Sequence, residues 1–208
     1  VEAAMAFGTG HHGTTLGCLK AFDRMVEAGF VPQNAVDIGC GTAVLAMAAA
    51  HVSPNVVLAS DIDPTAVEVA AANVAANNLT GRVDCIIAAG FDAPALALAA
   101  PFDLVFANIL KGPLIAMADD MAQAMQPGGT AILSGILNEQ ADAVVEVDAR
   151  AGVTETRRDS IVDWTALNST SRGYSKCINA VLPWASVRST VFPDSRGAAH
   201  CSLAARRA

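Results

Sequence analysis

Along the first 167 residues, apolar positions follow two alternating periods. Short apolar runs at 35–38, 56–60, 83–88, 102–107 and 130–134 read as strands. Between them the spacing is helical. Leu16, Leu19, Phe22 and Val26 recur on one face behind Thr14, which can cap that helix. A helix over 43–50 follows the first strand. Val67, Ala70, Ala71 and Val74 line another that Pro64 can open and Asn77-Asn78 can close. Further helices are predicted over 113–125 and 139–151, with Pro127-Gly128-Gly129 as a tight turn between helix and strand. Two short closing strands, 153–157 and 163–167, complete the count. Strands alternating with helices predict a doubly wound α/β fold: a mostly parallel seven-stranded sheet, helices on both faces, right-handed crossovers. From Asn168 onward the periodicity stops except over 178–182, so the chain divides into a domain at 1–167 and a tail at 168–208.

Composition sharpens this picture. The chain is 53% hydrophobic but only 5% aromatic, so its core must be built from Ala, Val, Leu and Ile, as in a parallel sheet buried on both faces. No apolar run nears the roughly eighteen residues that span a bilayer. The chain opens Val1-Glu2 without a secretory leader and reads as a fragment. Its five cysteines show no Cys-x-x-Cys spacing, which argues against a disulfide framework or zinc site and for a reduced, cytoplasmic setting. The net charge of −7 disfavours nucleic acid as a direct ligand and suits a basic protein substrate. That charge is uneven: 19 acidic and 7 basic residues precede Asn168, and 1 acidic and 6 basic follow Leu167.

The most telling stretch is Val36-Asp37-Ile38-Gly39-Cys40-Gly41-Thr42-Ala43-Val44, followed about twenty residues later by Ser60-Asp61-Ile62-Asp63-Pro64. A strand entering Gly39 and Gly41 lets backbone approach a ligand closely, and the next helix aims its N-terminal N–H groups there. Asp61, ending the second strand, can accept hydrogen bonds from a ribose diol. The third glycine of the dinucleotide fingerprint is replaced by Val44, which weakens a nicotinamide or flavin reading. The pattern instead resembles motif I of the S-adenosylmethionine-dependent methyltransferases, with Ala43 where that family usually has a third glycine.

Three more segments narrow the resemblance: Phe7-Gly8-Thr9-Gly10-His11-His12-Gly13-Thr14-Thr15, Asn108-Ile109-Leu110-Lys111-Gly112-Pro113-Leu114, and Leu133-Ser134-Gly135-Ile136-Leu137 with Glu139-Gln140. In order and spacing they are similar to the ribosomal protein L11 methyltransferase family over about four-fifths of the chain. The resemblance implies S-adenosyl-L-methionine as cofactor and amino groups of the large-subunit ribosomal protein L11 as acceptor. It also implies a substrate-recruiting N-terminal domain preceding this stretch, on which recognition of that ribosomal protein would depend. Methyl transfer to another protein or a small molecule, or an inactive cofactor-binding module, stand as alternatives.

Carried over residue by residue, the resemblance implies cofactor contacts from Thr15, Gly39, Gly41, Asp61, Asn108 and Phe7, with Asp63 and Ile109 as further candidates. Asn108 carries the catalytic role, its amide oxygen orienting the acceptor amine. No metal is expected, because His11 and His12 are adjacent and no carboxylate stands near them in sequence. A lysine is neutral at pH 7 only at a cost of about 4.6 kcal/mol, which an apolar pocket lowers, so no dedicated general base is expected.

Overall fold

The computed structural model describes residues 13–172; Phe7, His11, His12 and positions 173–208 lie outside the described residues. Seven strands form one sheet in the order β3-β2-β1-β4-β5-β7-β6. They are β1 Ala35–Ile38, β2 Val57–Asp61, β3 Val83–Ile87, β4 Phe102–Asn108, β5 Met125–Leu137, β6 Val153–Ile161 and β7 Trp164–Ser171. The pairings among β1 to β5 are all parallel, and β7 enters antiparallel between β5 and β6. Every residue of β1 and the first six of β4 are buried, because both sheet faces are covered by helices and the strands need no polar side.

The helices are α1 Gly13–Glu27, α2 Val44–Val52, α3 Pro64–Ala76, α4 Pro94–Ala99, α5 Lys111–Ala116, α6 Ala118–Ala124 and α7 Ala141–Ala151. They divide the core in two. One layer gathers Cys18 and Phe22 of α1 and Ala46 of α2 over Leu104 and Phe106; the other gathers Leu114, Met121 and Val144 over Val105 and Leu133. Phe22 and Phe106 meet edge to face with centroids 5.5 Å apart. Among the described residues no helix is long and apolar enough to cross a membrane.

The structure corrects the sequence reading in four places. Thr14 lies inside the first turn of α1 instead of capping it. The helix predicted over 113–125 is two helices, broken at Met117 with φ −97° and ψ 7°. Pro127-Gly128-Gly129 belongs to β5, where the register with β4 jumps from Phe102–Met125 to Leu104–Thr130, so the turn signal marks a bulge. The closing strand predicted over 163–167 is also longer: β7 runs through Ser171, and Asn168, Ser169 and Ser171 are buried in it. Their polarity hid the strand. Helix α4, six residues long, was too short for periodicity to register.

Candidate active site

In a parallel sheet the carboxyl ends of the strands gather on one edge, where sites form in open α/β folds. Here β1 ends at Ile38, β2 at Asp61 and β4 at Asn108. Gly39, Gly41, Asp61, Asn108, Ile109 and Gly135 are half-buried along this edge, above strands that are otherwise closed to solvent.

The loop after β1 is held by two acidic side chains. Gly39 and Gly41 take φ values of +69° and +52°, and Ala43 follows at +60° as the N-cap of α2. Alanine cannot supply a capping oxygen. Asp37 compensates from β1: its Oδ2 accepts from the backbone N–H of Ala46 at 3.1 Å, satisfying one of the open donors of the helix N-terminus. Asp61 holds the loop from the other side. Its Oδ2 accepts from the Gly41 N–H at 3.0 Å and its Oδ1 from the Asp63 N–H at 3.1 Å. A carboxylate offers about four acceptor positions, so each oxygen keeps one for a ligand. Asp63 caps α3 by accepting from the Thr65 N–H at 2.9 Å, a structural duty that accounts for this second-tier candidate.

Burial pushes the Asp37 carboxyl up to about 7; the Ala46 N–H opposes the rise and the Asp61 charge adds to it. Asp37 Oδ1 is buried without a hydrogen-bond partner. Burial also raises the Cys18 and Cys40 thiols, with repulsion from Asp37 adding in each case, so both are inert packing groups.

Across the edge, Asn108 donates from Nδ2 to Thr15 Oγ1 at 3.3 Å, joining two predicted site residues 93 positions apart. Thr15 is buried in α1 while Asn108 is partly open. This orientation turns Asn108 Oδ1 away from the threonine, and it has no hydrogen-bond partner among the described residues. Asn108 pairs with Ser134 across β4 and β5.

Sequence reasoning missed the wedge beside it. A Cβ on Gly39 would overlap Ile109 Cγ2, and a Cβ on Gly135, at φ +83°, would overlap the Ile109 backbone. The segment after Asn108 is thereby clamped between two glycines. A cue existed in Gly135 following an unbroken strand, since a glycine there often marks close backbone approach. Of the predicted residues, Thr15 and Asn108 meet directly, Gly41 meets Asp61, and Gly39 meets Ile109. Phe7 lies outside the described residues.

The family model described as ribosomal protein L11 methyltransferase (PrmA) matches residues 1–172. The protein named ribosomal protein L11 methyltransferase of Bradyrhizobium diazoefficiens is 49% identical over 167 residues, covering 80% of this chain and 56% of that protein. Its namesake from Brucella abortus is 45% identical over 170 residues, covering 82% and 59%. The chain thus spans less than two-thirds of the length of these relatives. The crystal structure of ribosomal protein L11 methylase from Lactobacillus delbrueckii subsp. bulgaricus superimposes with a TM-score of 0.67 at 25% identity, covering 78% of this chain and 81% of that one. The fold alone is shared with N-methyltransferase NodS from Bradyrhizobium japonicum WM9, crystallised with S-adenosyl-L-homocysteine, at a TM-score of 0.57 and 14% identity, covering 76% and 87%. On the family model that matches residues 1–172 and relatives 45–49% identical over about four-fifths of its length, this chain belongs to the ribosomal protein L11 methyltransferase family.

Proposed function

We propose that this chain transfers methyl groups from S-adenosyl-L-methionine to amino groups of the large-subunit ribosomal protein L11. The observation that carries the reading is the pairing of a doubly braced glycine loop with an amide acceptor on the same sheet edge. Asp61 keeps free acceptor positions for a ribose diol, while Gly39 and Gly41 expose backbone for close approach. The orphaned Asp37 Oδ1 beneath the loop is an acceptor suited to the positive end of an amino-acid moiety. These residues fit the cofactor.

S-adenosyl-L-methionine, when bound, supplies an electrophilic methyl on a sulfonium centre. Attack by a neutral amine needs alignment and exclusion of water more than it needs proton transfer. Asn108 serves alignment. With Nδ2 engaged by Thr15, its Oδ1 accepts an N–H of the incoming amine and aims the nitrogen lone pair. The acceptor ammonium gives its proton to solvent water before attack, a step favoured by partial burial of the amine.

Calorimetric titration with S-adenosyl-L-methionine, followed by a methyl-transfer assay on purified L11, tests this. Saturable binding that Asp61→Ala weakens, and transfer that Asn108→Ala slows more than it weakens cofactor binding, are the expected results. Binding without transfer to L11 would move the proposal to another acceptor, and absence of binding would end it.

A further inference from the structure

The turn joining β6 to β7 holds an amino acid poorly suited to it. Val162 sits at φ +57°, in the left-handed region where a β-branched side chain crowds its own backbone. The fold gains little in return, since Val162 is 84% exposed. The turn is fixed from outside. Asn138 donates its backbone N–H to the Asp163 carbonyl at 2.9 Å and its Nδ2 to the Val162 carbonyl at 2.8 Å. Thr165 Oγ1 in turn donates to Asn138 Oδ1 at 2.8 Å. None of these bonds uses the Val162 side chain. Strain kept where the surroundings impose the backbone is a reason to look for a use of the side chain.

Position supplies the use. On β5, Ser134 pairs with Asn108, and three residues further along Leu137 pairs with Trp164. The turn therefore stands on the same carboxyl edge as Asn108, about 10 Å farther out and about 10 Å to the side, the width of two strand spacings. Exposed Asp163 follows Val162 in the turn, and exposed Glu139 follows Asn138, whose side chain bonds the Val162 carbonyl. An apolar tip on a turn accompanied by two exposed acids suits a lysine-bearing segment, whose methylene stem packs on the tip while its charge is drawn to the acids.

We propose that the β6–β7 turn is a specificity determinant for the acceptor: Val162 packs against the aliphatic part of the amine-bearing segment, and Glu139 and Asp163 attract its positive charge. The proposal rests on the methyltransferase reading above and adds to it the surface that selects the acceptor.

The test is steady-state methylation of purified L11 at saturating S-adenosyl-L-methionine, comparing the full chain with Val162→Gly and with Glu139→Gln/Asp163→Asn. Val162→Gly relieves the strain, so its melting temperature should equal or exceed the parent's. Loss of the apolar contact should raise KM for L11 about fivefold, with kcat and cofactor affinity within about twofold. The double variant should also raise KM and flatten its dependence on salt. KM values of both variants within about twofold of the parent's would overturn the assignment, because a merely structural turn would move the melting temperature alone. A parent chain that binds cofactor but never methylates L11 would move the acceptor elsewhere, and this assignment would fall with the L11 reading while the cofactor reading stood.

Discussion

At the scale of single residues, the site turns on Ile109, which touches one glycine through its side chain and another through its backbone. That difference makes a prediction. Gly39→Ala should cost about 2–4 kcal/mol, from the positive φ and the overlap with Ile109 Cγ2. Part of this should return in Gly39→Ala/Ile109→Ala, since the obstructing methyl is gone. Gly135→Ala should cost at least as much, yet Ile109→Ala should rescue none of it, because the obstruction is backbone. Denaturant unfolding of the four variants and the Ile109→Ala parent measures both couplings. Asp61 gives a second expectation at this scale. A hydrogen bond to a charged group is worth about 1.5–3 kcal/mol, so Asp61→Ala should weaken cofactor binding by about 10- to 100-fold in a calorimetric titration. The sequence exposed the glycines and Asp61 because positive φ values restrict residue type at the first, and the end of a strand followed by Asp63-Pro64 marks the second. It could not expose the duty of Asp37 as a remote cap for α2, or the Asn108–Thr15 bond, since both depend on elements meeting in space.

At the scale of elements, α7 carries an internal contradiction. Its buried stripe is Ala141, Val144, Asp148 and Ala151, so an acid occupies a core position. Asp148 is 1% exposed and neither carboxylate oxygen has a hydrogen-bond partner. Burial pushes its carboxyl up to about 7. The folded state therefore holds this proton more tightly than the unfolded chain, whose aspartate titrates near 4. Stability from this group is fully present below about pH 4 and is lost as pH rises through 7. Asp148→Asn removes the titration. Its stability relative to the parent should improve by about 2–3 kcal/mol between pH 5 and pH 8, the work of ionising a buried acid over that interval. Urea unfolding at the two pH values reads this directly; equal gaps at both would show that water reaches the carboxylate. Asp37 adds the same slope to both proteins and cancels in the comparison. The helical spacing of 141–151 is plain in the sequence, whereas the inward direction of Asp148 is not, because an acid among small apolar residues ordinarily marks the solvent face.

At the scale of the whole molecule, five parallel strands were legible because buried parallel strands are short apolar runs, and β7 was legible only in its first half. Trp164 to Leu167 are recognisable as strand, but Asn168-Ser169-Thr170-Ser171 are polar and small. They nonetheless occupy the interior of the sheet. Thr170 pairs with Thr130 on one side and Thr154 on the other, Ser169 with Ala131 and Glu155, and Asn168 with Ile132 and Arg157. Main-chain hydrogen bonds to two neighbours hold this half of the strand, with no help from apolar side chains. Arg172 then donates its N–H to the Gly152 carbonyl at 2.9 Å, tying the strand end to the C-cap of α7. A chain ended after Leu167 would strip the partner from the start of β6 and from the middle of β5 together, leaving buried N–H and C=O groups unpaired on both. At about 1 kcal/mol for each lost backbone bond and more for each orphaned group, the loss approaches the whole stability of a domain this size. A chain ended after Arg172 keeps every one of these pairings. The two truncations should therefore diverge sharply, the shorter failing to give a cooperative thermal transition and the longer retaining one. Similar melting of both would mean that β7 contributes little beyond Leu167, and that the polar half-strand is carried by the sheet instead of completing it.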